Sequence, residues 1–183
     1  MKDELRYKYK IKRKYFQHSA REVADGAIAD NVLNGFADRN SFLVYFSYGT
    51  EADTHALIER LLLSGKRVYL PRVEGKDIVP VPYLGDAENL KENSYGIKEP
   101  CGQAYGGEIE VCITPLLAVN LSGGRLGYGG GYYDRFFAAH PQIIRAGLGY
   151  GLQLCEENFT SPQDEPLDLF ISERGITYFE KRR

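Results

Sequence analysis

The sequence lacks the features that mark several large classes of protein. It holds only three cysteines, Cys101, Cys112 and Cys155, and three histidines in 183 residues. Because they form no CxxC pair, we expect buried free thiols rather than a disulfide framework or a structural zinc site. No apolar run approaches the roughly 20 residues that cross a bilayer, and the charged opening is unlike a secretory signal. We therefore expect a cytoplasmic protein without a membrane partner.

An excess of basic charge is also missing. The chain has 23 Lys and Arg against 25 Asp and Glu, a formal net charge of −2. Proteins that bind nucleic acid usually carry a basic excess, so no nucleic-acid partner is expected. One alternative stays open, because 14 tyrosines and a basic N-terminal helix are also compatible with a module that stacks RNA bases on aromatic rings.

Apolar runs alternate with helical patterns along the chain. Strands are predicted at 42–46, 67–71, 111–115, 143–149, 168–171 and 177–179, with an edge strand at 77–84 and a loop at 85–107. Helices are predicted at 2–16, 19–34, 52–64 and 131–139, the second starting at a capping box of Ser19 and Glu22. The pattern predicts one α/β domain over 1–183, a mostly parallel open sheet with helices on both faces.

The segment between the predicted strand at 111–115 and the predicted helix at 131–139 is rich in glycine. Six of the nine residues at 123–131 are glycine, and Arg125 lies among them. Glycine lets the backbone approach a ligand closely, and the N–H groups of such a loop and of the next helix attract anions. A guanidinium adds a forked donor that suits phosphate oxygens. The segment therefore predicts a phosphate-binding loop.

Asp134 follows this loop, in the first turn of the predicted helix. A carboxylate there can simply complement the helix dipole, but it also suits Mg²⁺, which prefers one or two carboxylates together with phosphate oxygens. A second carboxylate would then come from the end of another strand. Asp168 is the best placed, with Asp164 and Glu165 as alternatives.

The segment 125–136, RLGYGGGYYDRF, resembles the ATP-loop motif of the 5-formyltetrahydrofolate cyclo-ligase family, also called methenyltetrahydrofolate synthetases. The resemblance extends to the basic opening at 2–6 and to segments 46–54, 65–71, 95–100 and 167–173. It implies a NagB/RpiA/CoA-transferase-like fold. An alternative within this fold is a sugar-phosphate isomerase or CoA-transferase relative, which would use the same loop without hydrolysing ATP.

The resemblance also implies roles for individual residues. The implied ATP-binding residues are Lys2, Arg6, Arg125, Leu126, Gly127, Tyr128, Gly129, Gly130, Gly131 and Tyr132. The implied substrate-binding residues are Phe46, Glu51, Tyr95 and Tyr132. Asp134 and Asp168 would hold Mg²⁺, and Arg125 and Tyr132 would act in catalysis.

The implied reaction uses ATP to convert 5-formyltetrahydrofolate, with or without a polyglutamate tail, into 5,10-methenyltetrahydrofolate, ADP and phosphate through an N5-iminium phosphate. Two positions depart from the family pattern. Leu116 stands where a glycine is usual, and Asn120 stands where an aspartate is usual. We expect a local adjustment of the approach to the loop there, with ATP affinity as the property affected.

Overall fold

The computed structural model describes residues 1–16 and 18–180. Within these ranges the α-helices are α1 (Lys2–Lys14), α2 (His18–Gly35), α3 (His55–Leu63) and α4 (Tyr132–Ala139). The strands are β1 (Ser41–Val44), β2 (Arg67–Glu74), β3 (Asp77–Tyr83), β4 (Leu90–Glu92), β5 (Lys98–Pro100), β6 (Val111–Thr114), β7 (Ala118–Asn120), β8 (Arg125–Leu126), β9 (Ile144–Leu148), β10 (Leu154–Cys155), β11 (Leu169–Ser172) and β12 (Gly175–Tyr178).

The main sheet has seven strands in the order β12-β11-β9-β6-β1-β2-β3. Its five central strands are parallel to one another, and the outer strands β3 and β12 are antiparallel to their neighbours. The predicted mostly parallel sheet is confirmed. The predicted edge strand is also confirmed, because β3, which contains Pro80 and Pro82, is the last strand of the sheet. A proline has no backbone N–H, so a strand that contains two of them suits an edge, where one side needs no partner.

Both faces of this sheet are covered by helices, as predicted. On one face, α2 and α3 bury residues such as Ile28 and Leu57 against side chains of the central strands, Val44 and Ile113 among them. On the other face, α4 packs Phe137 and its neighbours into a second core. Strands β1 and β6, at the centre of the sheet, are buried along their whole length, so most of their residues are apolar and polar residues do not alternate with them.

A second sheet, β10-β7-β8, was not predicted. It forms a third core with α1, in which Tyr9 packs with Leu117, Leu126 and Phe159. Its strands are only two or three residues long, and β7 and β8 stand on either side of Gly123 and Gly124. Segments this short carry no clear strand pattern in their sequence. The sheet holds the start of the glycine-rich segment beside the basic helix α1.

Several predicted boundaries are wrong. Helix α2 begins at His18, so Ser19 lies inside its first turn and the predicted capping box does not form, whereas the predicted end near Asn34 is confirmed to within one residue, at Gly35. Helix α3 begins at His55, not at 52. The predicted loop at 85–107 contains the β4–β5 hairpin.

The three cysteines are free, as predicted, although Cys101 is only partly buried. In the described part of the chain, no helix combines the length and the apolar character needed to cross a membrane. The predicted domain of 1–183 also includes residues 17 and 181–183, which lie outside the described residues.

Candidate active site

The glycine-rich loop is held against α1 by Arg6. The Nε–H of Arg6 donates to the carbonyl oxygen of Gly127 at 3.0 Å. Gly129 has φ 106°, and a Cβ atom built there would lie 3.5 Å from the guanidinium carbon of Arg6. Gly131, at φ 65°, precedes α4 and offers no side-chain cap to the first-turn N–H groups. The loop therefore leaves backbone donors of a helix start without a side-chain acceptor, as an anion site requires.

Arg125 lies beneath this loop with its side chain 6% exposed. Its Nη2 donates to Oδ1 of Asp134 at 3.2 Å, and its guanidinium carbon lies 5.3 Å from the centre of the Tyr133 ring. Its Nε is buried and has no hydrogen-bond partner among the described residues. A buried donor without a partner is costly, so a bound anion that accepted this hydrogen would offset the cost.

The two predicted metal ligands have different surroundings. Oδ1 of Asp134 accepts from Arg125 and from the backbone N–H of Glu165 at 3.2 Å, whereas Oδ2 accepts from no described residue. Oδ2 of Asp168 accepts from the backbone N–H of Arg145 at 2.9 Å, and its Oδ1 has no described donor. Asp168 therefore lies at the amino ends of β9 and β11, where it also has a structural hydrogen bond.

Magnesium needs few protein ligands. The described ranges contain no group of three or more His, Cys, Asp or Glu side chains placed to hold a metal ion. Mg²⁺ bound with phosphate needs only one or two carboxylates, and Asp134 offers one free oxygen beside the loop. The residues around Asp134 thus fit this ion.

The alternative carboxylates are already paired. Lys2 Nζ lies 2.8 Å from Oδ2 of Asp164, which also accepts from the backbone N–H of Ser161. Glu165 pairs with Arg145 at 2.7 Å. These pairs hold the segment 161–165 between α1 and Asp134, so that Lys2 is brought to the same side of the molecule as the loop.

Glu51 meets the loop directly. The hydroxyl of Tyr128 donates to Oε1 of Glu51 at 2.6 Å, and the backbone N–H of Tyr48 donates to Oε2 at 2.9 Å. Burial raises the pKa of the Glu51 carboxyl, and the hydrogen bonds from Tyr128 and Tyr48 and the charge of Arg13 lower it in part. Arg13 was not predicted as a site residue. It lies on the same buried face of α1 as Tyr9, and no motif surrounds it in the sequence.

A cavity of about 600 Å³ opens beside Glu51, between α2 and the segment after β1. Its lining includes Arg21, Asp25, Tyr48 and Tyr150. Asp25 accepts from the Tyr150 hydroxyl and from a backbone N–H, each at 3.0 Å, and burial raises the pKa of its carboxyl. This acid was also missed, because it occupies a helical position with no motif around it. The volume lies within the usual range for small-molecule sites.

The three aromatic residues expected at the substrate site lie in three different places. The ring of Phe46 is stacked on His55 with 4.1 Å between centroids. Tyr95 is 78% exposed in the turn between β4 and β5. The Tyr132 ring lies at the loop beneath the guanidinium of Arg135, at 5.3 Å. Neither Phe46, Tyr95 nor Tyr132 lines the cavity beside Glu51.

Leu126, expected at the ATP site, is 1% exposed and packs in the core under α1. Asn120 and Leu116, the two departures from the family pattern, each make hydrogen bonds that the structure defines. Oδ1 of Asn120 accepts from the backbone N–H groups of Ser122 and Gly124, and its amide donates to Thr160. An aspartate at this position could not donate to Thr160, but it could accept from the Thr160 hydroxyl instead. Leu116 is buried, and its carbonyl oxygen accepts from Arg13.

These features define an α/β protein in which a glycine-rich loop is framed by Arg6, Arg125 and Asp134. The 5-formyltetrahydrofolate cyclo-ligase family model matches residues 1–173. The 5-formyltetrahydrofolate cyclo-ligase of Haemophilus influenzae is 34% identical over 155 residues, which cover 79% of this chain and 82% of the relative. That of Escherichia coli K12 is 34% identical over 138 residues, 70% of this chain and 75% of the relative.

Two solved structures of 5,10-methenyltetrahydrofolate synthetases have the same fold as this chain. The Aquifex aeolicus 5,10-methenyltetrahydrofolate synthetase superposes with a TM-score of 0.83 at 27% identity, covering 100% of this chain and 94% of the other. A Mycoplasma pneumoniae 5,10-methenyltetrahydrofolate synthetase, at 21% identity, shares the fold with a TM-score of 0.77 over 94% of this chain and 98% of the other. The chain belongs to the 5-formyltetrahydrofolate cyclo-ligase family. It is thus an enzyme of this class, not an isomerase or transferase relative.

Proposed function

We propose that this protein uses Mg-ATP to convert 5-formyltetrahydrofolate into 5,10-methenyltetrahydrofolate. The observation that carries the proposal is the buried Arg125 beneath the glycine loop, with an Nε–H that lacks an acceptor among the described residues. Family membership supports the cyclo-ligase reaction, and this arrangement supports the binding of phosphates at the loop. The formyl oxygen attacks the γ-phosphorus and ADP leaves. N10 then closes on the formyl carbon, loses its proton, and phosphate departs with the former formyl oxygen.

The loop and the two arginines would bind the nucleotide. The backbone N–H groups of Gly127–Gly131 would donate to phosphate oxygens, as the uncapped start of α4 supports. Arg125 would donate its Nε–H to the transferred group, where charge develops, and Arg6 would fix the loop through Gly127. Lys2 would add positive charge from α1. Tyr132, in the first turn of α4, would orient the reacting groups at the loop.

Glu51 would bind the folate. A carboxylate accepts the paired N–H groups at the edge of a pterin, and Glu51 lines a cavity of suitable volume. Phe46 and Tyr95 would contact a folate in this cavity only after local movement, because neither ring lines it and His55 is stacked on Phe46. Such adjustments are common for loops that close over a substrate.

Mg²⁺ would be held by Asp134, with Asp168 as the second proposed ligand. Bound there, the ion would neutralise charge on the phosphates and on the transferred group. Asp134 has the free oxygen that this requires, next to Arg125. No protein nucleophile is needed, because the substrate oxygen itself attacks phosphorus. Catalysis then comes from alignment of the reactants and from stabilisation of charge.

The proposal is tested by mixing the purified protein with 5-formyltetrahydrofolate and Mg-ATP while following the absorbance of the methenyl product. The expected result is product formation that requires both ATP and Mg²⁺, with one ADP released per product. Controls omit each component in turn, and circular dichroism confirms the fold. A folded protein that forms no product under these conditions would overturn the proposal.

A further inference from the structure

Arg13 occupies an unusual position for a residue of a basic surface helix. It is 4% exposed, and its guanidinium donates to three segments that are distant in sequence. Nε donates to Oγ1 of Thr50 at 3.0 Å, Nη1 to the carbonyl oxygen of Leu116 at 3.2 Å, and Nη2 to the hydroxyl of Tyr128 at 2.8 Å. A planar fork with fixed donors holds such a junction more firmly than a lysine would.

The Tyr128 hydroxyl continues this network. It accepts from Arg13 and donates to Oε1 of Glu51 at 2.6 Å, so both of its hydrogen-bonding functions are used. Tyr128 belongs to the glycine loop, and Glu51 lines the cavity after β1. One phenol therefore connects the proposed nucleotide loop with the proposed substrate residue across 77 positions of sequence. A phenol is protonated at neutral pH, so the hydroxyl is able to donate.

We propose that Arg13 is a positioning residue that acts through Tyr128 to couple the nucleotide loop to Glu51, so that each ligand strengthens binding of the other. The inference rests on the proposed function. A nucleotide that orders the loop also fixes Tyr128, and Tyr128 fixes the carboxylate that meets the folate. The second ligand then meets a site that is already ordered, which is the physical basis of positive coupling.

The test is Tyr128→Phe, which removes one hydroxyl and keeps the ring. The dissociation constant of 5-formyltetrahydrofolate is measured with and without a non-hydrolysable ATP analogue. The wild type is expected to bind folate at least about fivefold more tightly with the analogue. In the variant this difference is expected to fall to less than about twofold, and the folate KM to rise about tenfold, since a hydrogen bond to a charged group is lost. Tyr7→Phe, at a 70% exposed position of α1, is the matched control and should match the wild type.

Arg13→Lys provides the second half of a double-mutant cycle. If the two residues act as one unit, adding Arg13→Lys to Tyr128→Phe changes the folate KM by less than about twofold. Should Arg13→Lys fail to fold, Tyr128→Phe alone decides. Amide hydrogen exchange in the loop gives a readout without turnover, and it should be faster in Tyr128→Phe than in Tyr7→Phe.

The outcomes separate the two proposals. A wild type that forms no methenyl product refutes the proposed function. A wild type that turns over but shows no nucleotide–folate coupling refutes the inference alone. The inference is equally refuted if Tyr128→Phe retains full coupling and the wild-type folate KM.

Discussion

The substitution Asp134→Asn separates the proposed metal role of this carboxylate from its structural role. The amide oxygen of asparagine can still accept from Nη2 of Arg125 and from the backbone N–H of Glu165, the two hydrogen bonds at 3.2 Å. The negative charge is lost, and an NH₂ group replaces the free oxygen Oδ2 that would bind the metal. A hydrogen bond to a charged group contributes roughly 1.5–3 kcal/mol and a neutral one roughly 0.5–1.5 kcal/mol, so the free energy of unfolding should fall by about 1 kcal/mol. For a protein of this size, Tm should fall by about 2–4 °C.

Turnover should change far more. A bound metal ion stabilises the charge that develops in the transition state by several kcal/mol. The loss of a charged metal ligand should therefore lower kcat at limiting Mg²⁺ at least about 100-fold. The assay is methenyl formation at a series of Mg²⁺ concentrations, with Tm measured on the same samples. Asp38→Asn, at an exposed carboxylate after α2, serves as the control. A near-normal rate of Asp134→Asn at limiting Mg²⁺ would refute the assignment of Asp134.

Three further predictions concern stability and the substrate. Gly123 and Gly75 both have positive φ, but a Cβ at Gly123 would lie 2.7 Å from a backbone oxygen, whereas Gly75 faces open space. Thermal melts should therefore show Gly123→Ala losing about 1–3 kcal/mol more than Gly75→Ala, and equal losses would contradict the packing described. Backbone N–H groups of Asn40 and Ser41 donate to Glu110 and lower the pKa of its carboxyl in the folded protein. The charged carboxylate therefore stabilises the fold at any pH above the pKa that Glu110 has in the unfolded chain. This stabilisation is lost as the pH falls through the lowered pKa of the folded protein. Glu110→Ala should cost about 1–2 kcal/mol at pH 7 and much less in acid, with a pH-independent loss as the opposing result. Tyr132→Ala should raise the folate KM more than the ATP KM, and the reverse pattern would reassign that ring to the nucleotide.

The main sheet was predictable because its signal is local. Strands such as β1 and β6 are buried on both faces, and a strand in that position is a nearly continuous apolar run. The loop was predictable for a similar reason, since the demand for close backbone approach is met by glycine alone. The start of α2 was not, because the serine that matched a capping pattern lies one residue inside the helix.

The contacts between segments could not be predicted. The hydrogen bonds of Arg13 reach three segments that the fold brings together, and nothing near position 13 signals them. Asp25 and its hydroxyl partner Tyr150 are likewise 125 positions apart. The short strand β7 depends on pairing with β8 on one side and β10 on the other, not on its own composition.

The central claim is that the formyl oxygen of the substrate receives the γ-phosphoryl group. The most direct measurement uses 5-formyltetrahydrofolate labelled with ¹⁸O in the formyl group and follows the label by mass spectrometry of the released phosphate. We predict one ¹⁸O atom in each phosphate formed with the methenyl product. Unlabelled phosphate, released at the same rate as the product, would contradict the proposed reaction.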